Sequence, residues 1–240
     1  MLAVENINTY YGTSHILHNV SLNVQDGEIV VLLGRNGVGK TTTLKTIMGI
    51  QPCRTGKVTF NGQNITGFPP DEIARRGISL VPEDRRIIPN LTVFENLKLG
   101  MLVRMKREKV DLPETLEKVF HYFPRLKERL SQLGESLSGG EQQMLTTARG
   151  LVGNPRLMII DEPTEGLAPI LVEEIWEMLK KLHENKVTLL LVEQNYEMSL
   201  QLSKNLRAYI LEKGHIRMGG TREELHARQE EVEKYLGVKV

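Results

Sequence analysis

Residues 29–42 read IVVLLGRNGVGKTT, an apolar run followed by a glycine-rich segment and the start of a helix-prone one. The glycine-rich part has the form G-x-x-x-x-G-K-[ST], and Gly49 marks the expected end of the following helix. Between a strand and a helix, successive backbone N–H groups and the helix N-terminus converge on one anion. The stretch therefore predicts a nucleotide phosphate site, with a plain glycine-rich turn as the alternative.

The residues of this phosphate loop have separate predicted roles. Its glycines let the backbone wrap around a phosphate without Cβ clashes. Lys40 can reach the β- and γ-phosphates, and the Thr41 hydroxyl can ligate Mg²⁺. The residues predicted to bind the nucleotide here are Gly34, Asn36, Gly37, Gly39, Lys40, Thr41 and Thr42.

The composition limits the classes of partner. The 240 residues include 31 basic and 30 acidic side chains, and a net charge of +1 gives no bulk field to hold nucleic acid or an anionic membrane. The one cysteine, Cys53, excludes an intrachain disulfide and is compatible with a reducing compartment. The apolar runs are strand-sized, and the first residues lack a basic-then-apolar signal. We expect a cytoplasmic protein that meets a membrane only through partner subunits and binds no nucleic acid.

The order of elements predicts an α/β fold. Residues 2–9 and 16–24 alternate apolar and polar side chains, which predicts an antiparallel β flank. Elsewhere short apolar runs alternate with helical segments, which predicts a mostly parallel sheet with helices on both faces. These runs are residues 29–33, 78–81, 157–161 and 188–192.

Between residues 91 and 151 the pattern becomes helical. Thr92 to Glu95 has the S/T-x-x-E capping pattern, Pro113 opens a helix, and Pro124 interrupts it before a further helix at 126–133. We therefore predict a nucleotide-binding α/β core with its antiparallel subdomain at 1–90 and 152–240. The inserted helical subdomain is predicted at 91–151.

Two adjacent carboxylates follow the apolar run 157–160. A central parallel strand delivers Asp161 and Glu162 at its carboxyl end, where ligands bind in such sheets. Asp161 can reach Mg²⁺ beside Lys40, and Glu162 can orient or deprotonate a water for attack on the γ-phosphate. The alternative is a solvated acidic turn, which the phosphate loop upstream makes the poorer interpretation.

A second candidate anion site lies at residues 138–141, which read SGGE. Ser138 and Glu141 fit a capping box, which is a purely structural interpretation. Gly139 and Gly140 cost conformational entropy and leave backbone N–H groups open to an external anion. This turn lies about a hundred residues from the phosphate loop, and one nucleotide seldom needs both from one molecule. The two sites together predict a head-to-tail dimer.

Four segments in this order resemble an ATP-binding cassette (ABC) ATPase, namely Tyr11 and residues 34–41, 137–142 and 157–164. The resemblance covers the whole chain. It implies a P-loop NTPase fold of the RecA-like type, ATP with Mg²⁺, ATP hydrolysis, and a nucleotide sandwich closed by two ATPase subunits. It also implies transmembrane permease partners, a peripheral location at the inner face of the cell membrane, and a purine stacked on Tyr11. On chemistry alone, Tyr10 and Tyr11 fit packing roles better.

Three positions depart from the general family pattern. Glu83 stands where a glutamine usually touches Mg²⁺ and the attacking water, and it brings another negative charge. Gln194 stands where a histidine usually contacts the γ-phosphate. The glutamine amide can donate a neutral hydrogen bond but, unlike a histidine, cannot become positively charged by binding a proton. Residues 165–169 replace the usual Ser-Ala-Leu-Asp, which leaves Ala168 at the acidic position of a cross-dimer contact. The resemblance then implies Glu162, Lys40 and Gln194 in catalysis, Thr41, Asp161 and Glu83 at the metal, and Ser138, Gly139, Gly140 and Glu141 at the partner's nucleotide.

The same departures, with Arg85-Arg86 and residues 192–195, resemble the ATP-binding subunits of bacterial branched-chain amino-acid importers. In that subgroup two different ATPase chains can serve one transporter, so a homodimer and a heterodimer both stay open. Arg85, Arg86 and Phe94 are predicted to pass nucleotide-driven movement to a membrane subunit, with a solvated basic turn as the alternative. Two further function classes are a non-transport cassette ATPase acting on nucleic acid or ribosomes and a phosphotransferase using the same loop.

Overall fold

The computed structural model describes residues 1–105 and 109–237. Within these ranges the chain forms two β-sheets and a set of helices. Residues 106–108, in the predicted helical subdomain, and 238–240, in the predicted core, lie outside the described residues.

The first sheet consists of β1 (Leu2–Tyr11), β2 (Ser14–Val24), β4 (Cys53–Phe60) and β5 (Gln63–Asn64), in the order β2-β1-β4-β5. All its pairs are antiparallel, which confirms the predicted flank. Buried and solvent-facing side chains alternate along much of β1 and β2 because only one face packs on the core. Tyr10 and Tyr11 extend β1 beyond the predicted run 2–9 and pair with His15 and Ser14.

The second sheet consists of β3 (Ile29–Leu33), β6 (Ile78–Val81), β7 (Leu157–Asp161), β8 (Thr188–Glu193), β9 (Arg207–Glu212) and β10 (His215–Thr221). Its order is β10-β9-β3-β8-β7-β6, and all neighbouring pairs are parallel except β9 with β10. Every residue of β3, β7 and β8 is buried, as expected for central strands covered on both faces. The predicted mostly parallel sheet is confirmed.

The helices are α1 (Lys40–Ile47), α2 (Pro70–Arg75), α3 (Val93–Met105), α4 (Leu112–Tyr122), α5 (Pro124–Glu128), α6 (Gly139–Leu151), α7 (Pro169–Glu184), α8 (Tyr196–Leu200), α9 (Arg222–His226) and α10 (Gln229–Leu236). The predicted cap of α3 is present, because Glu95 accepts from the N–H of Thr92 and the Thr92 hydroxyl accepts from the N–H of Glu95. None of the described helices is long and apolar enough to cross a membrane.

The helix predicted at 126–133 is wrong over most of its length, since α5 ends at Glu128. The carbonyl oxygens of Leu130 and Gln132 accept from the N–H groups of Phe94 and Val93 at 3.1 and 2.9 Å. The segment therefore satisfies the first donors of α3, which a continued α5 could not do.

Two apolar clusters lie on the two faces of the second sheet. Alternate residues of β3 point to opposite faces: Ile29, Val31 and Leu33 pack towards α6 and α7, whereas Val30 and Leu32 pack towards the first sheet and α1. The first cluster continues without a break into α3–α5, so the division at residues 91 and 151 stays a prediction. The carboxyl ends of β3, β7 and β8 meet at one edge, which positions the candidate site.

Candidate functional site

The phosphate loop connects β3 to α1 and depends on its glycines. Gly37 and Gly39 have φ values of 79° and 113°, in the left-handed range that disfavours other residues. A Cβ at Gly34 would lie 2.5 Å from the carbonyl oxygen of Leu211 in β9. Close packing and backbone conformation thus both require glycine. Of the other residues predicted here, Asn36 is exposed and Thr42 is half-buried in the first turn of α1.

Lys40 begins α1 and is almost fully buried, with 3% of its surface exposed. Its ammonium donates to the carbonyl oxygens of Gly34 and Arg35 at 2.7 and 3.0 Å and pairs with Glu162 Oε1 at 3.0 Å. Three acceptors match the three N–H bonds of the ammonium. A phosphate must therefore exchange with at least one of them to bind Lys40.

Glu162 follows β7 and faces the phosphate loop. While Oε1 pairs with Lys40, Oε2 accepts from Gln194 Nε2 at 2.6 Å. The Glu162 backbone has φ 42°, a conformation uncommon outside glycine, and its N–H donates to the carbonyl of Val192 at 3.0 Å. The carboxylate thus joins the phosphate loop to the loop after β8.

Asp161, Thr41 and Glu83 provide hard oxygen donors next to Lys40. Burial raises the pKa of Asp161 to about 6; the Thr41 hydroxyl, which donates to this carboxylate, opposes the rise, and the charges of Glu162 and Glu83 add to it. Asp161 Oδ1 is buried and has no hydrogen-bond partner among the described residues. All three residues line a cleft of about 400 Å³. A divalent cation would satisfy the unpaired oxygen and offset the crowded negative charge, so this donor set fits Mg²⁺.

A third buried carboxyl, Glu193, ends β8 with 4% of its surface exposed. Oε1 accepts from the Thr164 hydroxyl at 2.9 Å, and Oε2 accepts from the N–H of Gln194 at 3.1 Å. Burial raises the pKa of Glu193 to about 7, with the Glu162 charge acting in the same direction. Sequence analysis missed Glu193 and Thr164. The available signal was a charged residue that directly continues the apolar strand 188–192.

The SGGE turn forms the N-terminus of α6. Ser138 Oγ accepts from the N–H of Glu141 at 3.4 Å, and Glu141 Oε2 accepts from the N–H of Ser138 at 2.9 Å, which completes the capping box. Glu141 also pairs with Arg129. Although burial opposes them, hydrogen bonds from Ser138 and the Arg129 charge lower the pKa of Glu141. The turn is therefore held in a fixed shape by its own side chains.

Both glycines of this turn have close neighbours. A Cβ at Gly140 would lie 2.7 Å from Leu171 Cδ2, and one at Gly139 would lie 3.3 Å from Arg85 Nη1. A methyl group at position 140 would therefore displace the end of the Leu171 side chain of α7, a contact that the sequence did not reveal. The Arg85 backbone has φ 57°, and its carbonyl accepts from Thr146 Oγ1 of α6 at 2.8 Å. The Arg85 guanidinium consequently lies beside the turn.

The two tyrosines at the end of β1 have different surroundings. The ring of Tyr10 stacks on His15 with centroids 4.0 Å apart, and the Arg54 guanidinium lies 3.9 Å from the Tyr10 centroid. Tyr11 is 43% exposed. Tyr10 therefore fits the packing interpretation, and Tyr11 is the tyrosine available for stacking on a base.

The predicted residues fall into two groups. Lys40, Glu162 and Gln194 form a direct chain of contacts beside the cleft that Thr41, Glu83 and Asp161 line. Residues 138–141 do not line that cleft; they occupy the start of α6. The arrangement can bind a nucleotide phosphate at one group and present a second anion site to another molecule.

Sequence relatives span the chain. The family described as ABC transporter matches residues 17–165. The high-affinity branched-chain amino acid transport ATP-binding protein BraG of Pseudomonas aeruginosa is 43% identical over 237 residues, or 99% of this chain and 100% of that protein. The lipopolysaccharide export system ATP-binding protein LptB of Escherichia coli K12 is 33% identical over 239 residues, with 98% and 97% coverage.

Solved structures share the fold. The ADP conformation of MJ1267, an ATP-binding cassette of an ABC transporter, has a TM-score of 0.84 and 27% identity, covering 99% of this chain and 97% of that one. A dimeric post-hydrolysis state of the ATP-binding cassette MJ0796 bound to ADP and phosphate has a TM-score of 0.79 and 27% identity, covering 92% and 98%.

Proposed function

We propose a catalytic mechanism for this chain, which belongs to the ABC transporter family and is the ATP-binding, ATP-hydrolysing subunit of such a transporter. The observation that carries the mechanism is the chain of contacts from Lys40 through Glu162 to Gln194. It joins the phosphate loop to a carboxylate that can act on water. The phosphate-loop residues, the catalytic set and the metal set predicted from sequence are all part of this proposal.

The reaction begins with an exchange of partners at Lys40. The γ-phosphate competes with Glu162 for the ammonium, because charge-assisted hydrogen bonds to phosphate replace the ion pair. Glu162 leaves Lys40 while Gln194 still holds its second oxygen. The freed carboxylate accepts a hydrogen bond, and then a proton, from the attacking water. The water oxygen bonds to the γ-phosphorus as the bond to the bridging oxygen breaks, which gives ADP and phosphate.

Asp161, Thr41 and Glu83 would hold Mg²⁺. The ion supplies positive charge that offsets the phosphate oxygens in the transition state. Gln194 donates its amide hydrogen bond near the same developing charge, a role that needs a donor but no titratable proton.

The turn at residues 138–141 completes the site of a second cassette chain. It lies outside the cleft of its own phosphate loop and offers backbone N–H groups at a helix N-terminus. Head-to-tail pairing of two chains places each such turn opposite the other's phosphate loop. The dimeric MJ0796 structure with ADP and phosphate supports this arrangement.

The transporter is an importer of branched-chain amino acids, and the chain lies at the inner face of the membrane through its permease partners. The 43% identity to BraG, against 33% to LptB, supports import of this substrate class. A cleft of about 520 Å³, lined in part by Ile50, Leu80 and Leu99, offers apolar surface for a cytoplasmic segment of the permease. Ile50 and Leu99 are 47% and 39% exposed, whereas Phe94 packs against the core.

The direct test of this function is the variant Lys40→Ala. Loss of the ammonium should reduce ATP hydrolysis at least a hundredfold while thermal unfolding stays cooperative, because the charge acts on phosphates. The matched control is Lys57→Ala, which removes an exposed ammonium from β4. Normal turnover by Lys40→Ala, or transfer of the γ-phosphate to an acceptor other than water, would refute the proposal.

A further inference from the structure

A buried carboxyl that the mechanism above does not use lies where three loops meet. The backbone carbonyl of Glu193 accepts from the N–H of Gly34, the first residue of the phosphate loop, at 3.3 Å. Its side chain holds the Thr164 hydroxyl at 2.9 Å and the N–H of Gln194 at 3.1 Å. One residue therefore contacts the phosphate loop, the loop after β7 and the loop after β8.

Both side-chain contacts bear on Glu162. Thr164 lies in the turn that follows Glu162, which is closed by a hydrogen bond from the N–H of Glu165 to the carbonyl of Glu162 at 3.2 Å. On the other side, the Gln194 side chain donates to the Glu162 carboxylate at 2.6 Å. The contacts of Glu193 therefore set the distance between the turn after β7 and the loop after β8. The Glu162 carboxylate is held between these two segments.

Stability alone gives no reason for a carboxyl at this position. Burial of Glu193 beside Glu162 disfavours its charged form and raises its pKa. An apolar side chain or a hydroxyl would avoid that cost. What a carboxyl adds is a pair of oxygens on one side chain, and here each oxygen holds a donor on a different loop.

We infer that Glu193 is a positioning residue for ATP hydrolysis, which holds Thr164 and Gln194 together so that the Glu162 carboxylate meets the attacking water in one orientation. The inference rests on the proposed function of Glu162. Both carboxylate oxygens of Glu193 already accept hydrogen bonds, from Thr164 and Gln194, so it acts through Glu162. Its loss should therefore lower kcat and leave the KM for ATP nearly unchanged, because orientation matters most in the transition state.

The first experiment uses the Thr164 end of this contact. Thr164→Val keeps the shape of the side chain but removes the donor, and kcat should fall about tenfold with KM within about twofold. Thr164→Ser retains the hydroxyl and should restore most of kcat. The matched control is Thr188→Val, at the opposite end of β8, where the lost hydroxyl accepts from the N–H of Gly27. The control should lower the melting temperature without a change in kcat.

The second experiment uses the Glu193 end. Glu193→Met removes both acceptors and should also lower kcat about tenfold. Glu193→Gln can accept from Gln194 and donate to the Thr164 hydroxyl, so it should retain kcat within about threefold. The double variant Glu193→Met with Thr164→Val should be no slower than the slower single variant, because both act on one contact.

Two results would overturn the inference. One is that Thr164→Val has the same kcat as the control Thr188→Val, and the other is that Glu193→Met has the wild-type kcat. If Glu193→Met fails to fold, the comparison of Thr164→Val with Thr164→Ser still decides. Glu162→Gln, measured beside these variants, separates this inference from the proposed function. Wild-type turnover by Glu162→Gln would refute the function, whereas loss confined to Glu162→Gln would refute only the role of Glu193.

Discussion

At the scale of single residues, the site concentrates negative charge around one ammonium. Asp161, Glu162 and Glu193 are all buried near Lys40, but among the described residues only Glu162 forms an ion pair with it. The other two carboxyls have a pKa raised to about 6 and about 7, with burial as the largest cause. A buried carboxyl with a raised pKa is easier to keep protonated than charged, so these groups make the fold less stable as they ionise.

This charge predicts a pH dependence of stability. A raised folded-state pKa means that the native state binds the proton more tightly than the unfolded state. The stabilising contribution of the Glu193 proton to the free energy of unfolding is therefore complete below pH 4.5 and is lost as pH rises towards 7. Glu193→Gln cannot ionise. Between pH 5 and pH 8 its free energy of unfolding should therefore rise relative to wild type, by about 1–3 kcal/mol. Denaturant titrations at both pH values measure the difference, and parallel pH profiles would contradict the burial argument.

Gln194 is the second residue-scale prediction. Its amide holds Glu162 and is proposed to donate near the transition-state charge, where one such bond is worth about 2.7–4 kcal/mol in other enzymes. Gln194→Ala should lower turnover by about two orders of magnitude with a smaller change in ATP affinity. Gln194→His should retain activity because the imidazole also donates. Gln201→Ala, an exposed amide just after α8, serves as the control. A wild-type rate for Gln194→Ala would show that Gln194 does not contact the γ-phosphate.

At the scale of elements, the proposed anion site at the start of α6 has a shape that depends on its neighbours. Gly140→Ala would place a methyl group 2.7 Å from Leu171 Cδ2, so the end of that side chain must move. Overpacking typically costs about 1–3 kcal/mol, against which alanine gains about 0.5–1 kcal/mol over glycine in a helix. The melting temperature should fall, and adding Leu171→Ala should recover part of the loss. The single variant Leu171→Ala is the control for the lost leucine. An unchanged melting temperature for Gly140→Ala would show that α7 does not require this glycine.

Elements were predictable where one local signal dominates. The uniformly apolar runs at 29–33 and 157–160 are typical of central strands, and the cap of α6 follows from its Ser-x-x-Glu spacing. The predicted helix at 126–133 is wrong because carbonyl groups of this segment accept hydrogen bonds from the start of α3. The two segments are more than thirty residues apart in sequence. The contact from Thr164 to Glu193 was missed for the same reason, since sequence shows which strand ends carry polar groups but not which of them touch.

At the scale of the whole molecule, the two proposed anion sites of the chain do not line one cleft. The phosphate loop and Glu162 form one, and the start of α6 forms the other. The sequence predicts both, because each has its own glycine pattern beside a helix start. The way in which two chains combine them depends on surfaces that meet only in the dimer, which neither a motif nor a single chain contains.

The central claim is that two copies of the chain share ATP between these sites and that Glu162 acts as the base for its hydrolysis. Sedimentation velocity of Glu162→Gln in saturating MgATP tests it most directly, because the amide keeps the shape of the carboxylate but cannot accept the proton. The account predicts a particle of twice the monomer mass with ATP unhydrolysed, since bound ligand stabilises the pair. The same protein with Ser138→Arg added should return to the monomer mass. A monomer for Glu162→Gln itself would contradict sharing between two copies and leave pairing with a different ATPase chain, whereas a dimer that persists with Ser138→Arg would contradict the shared site itself.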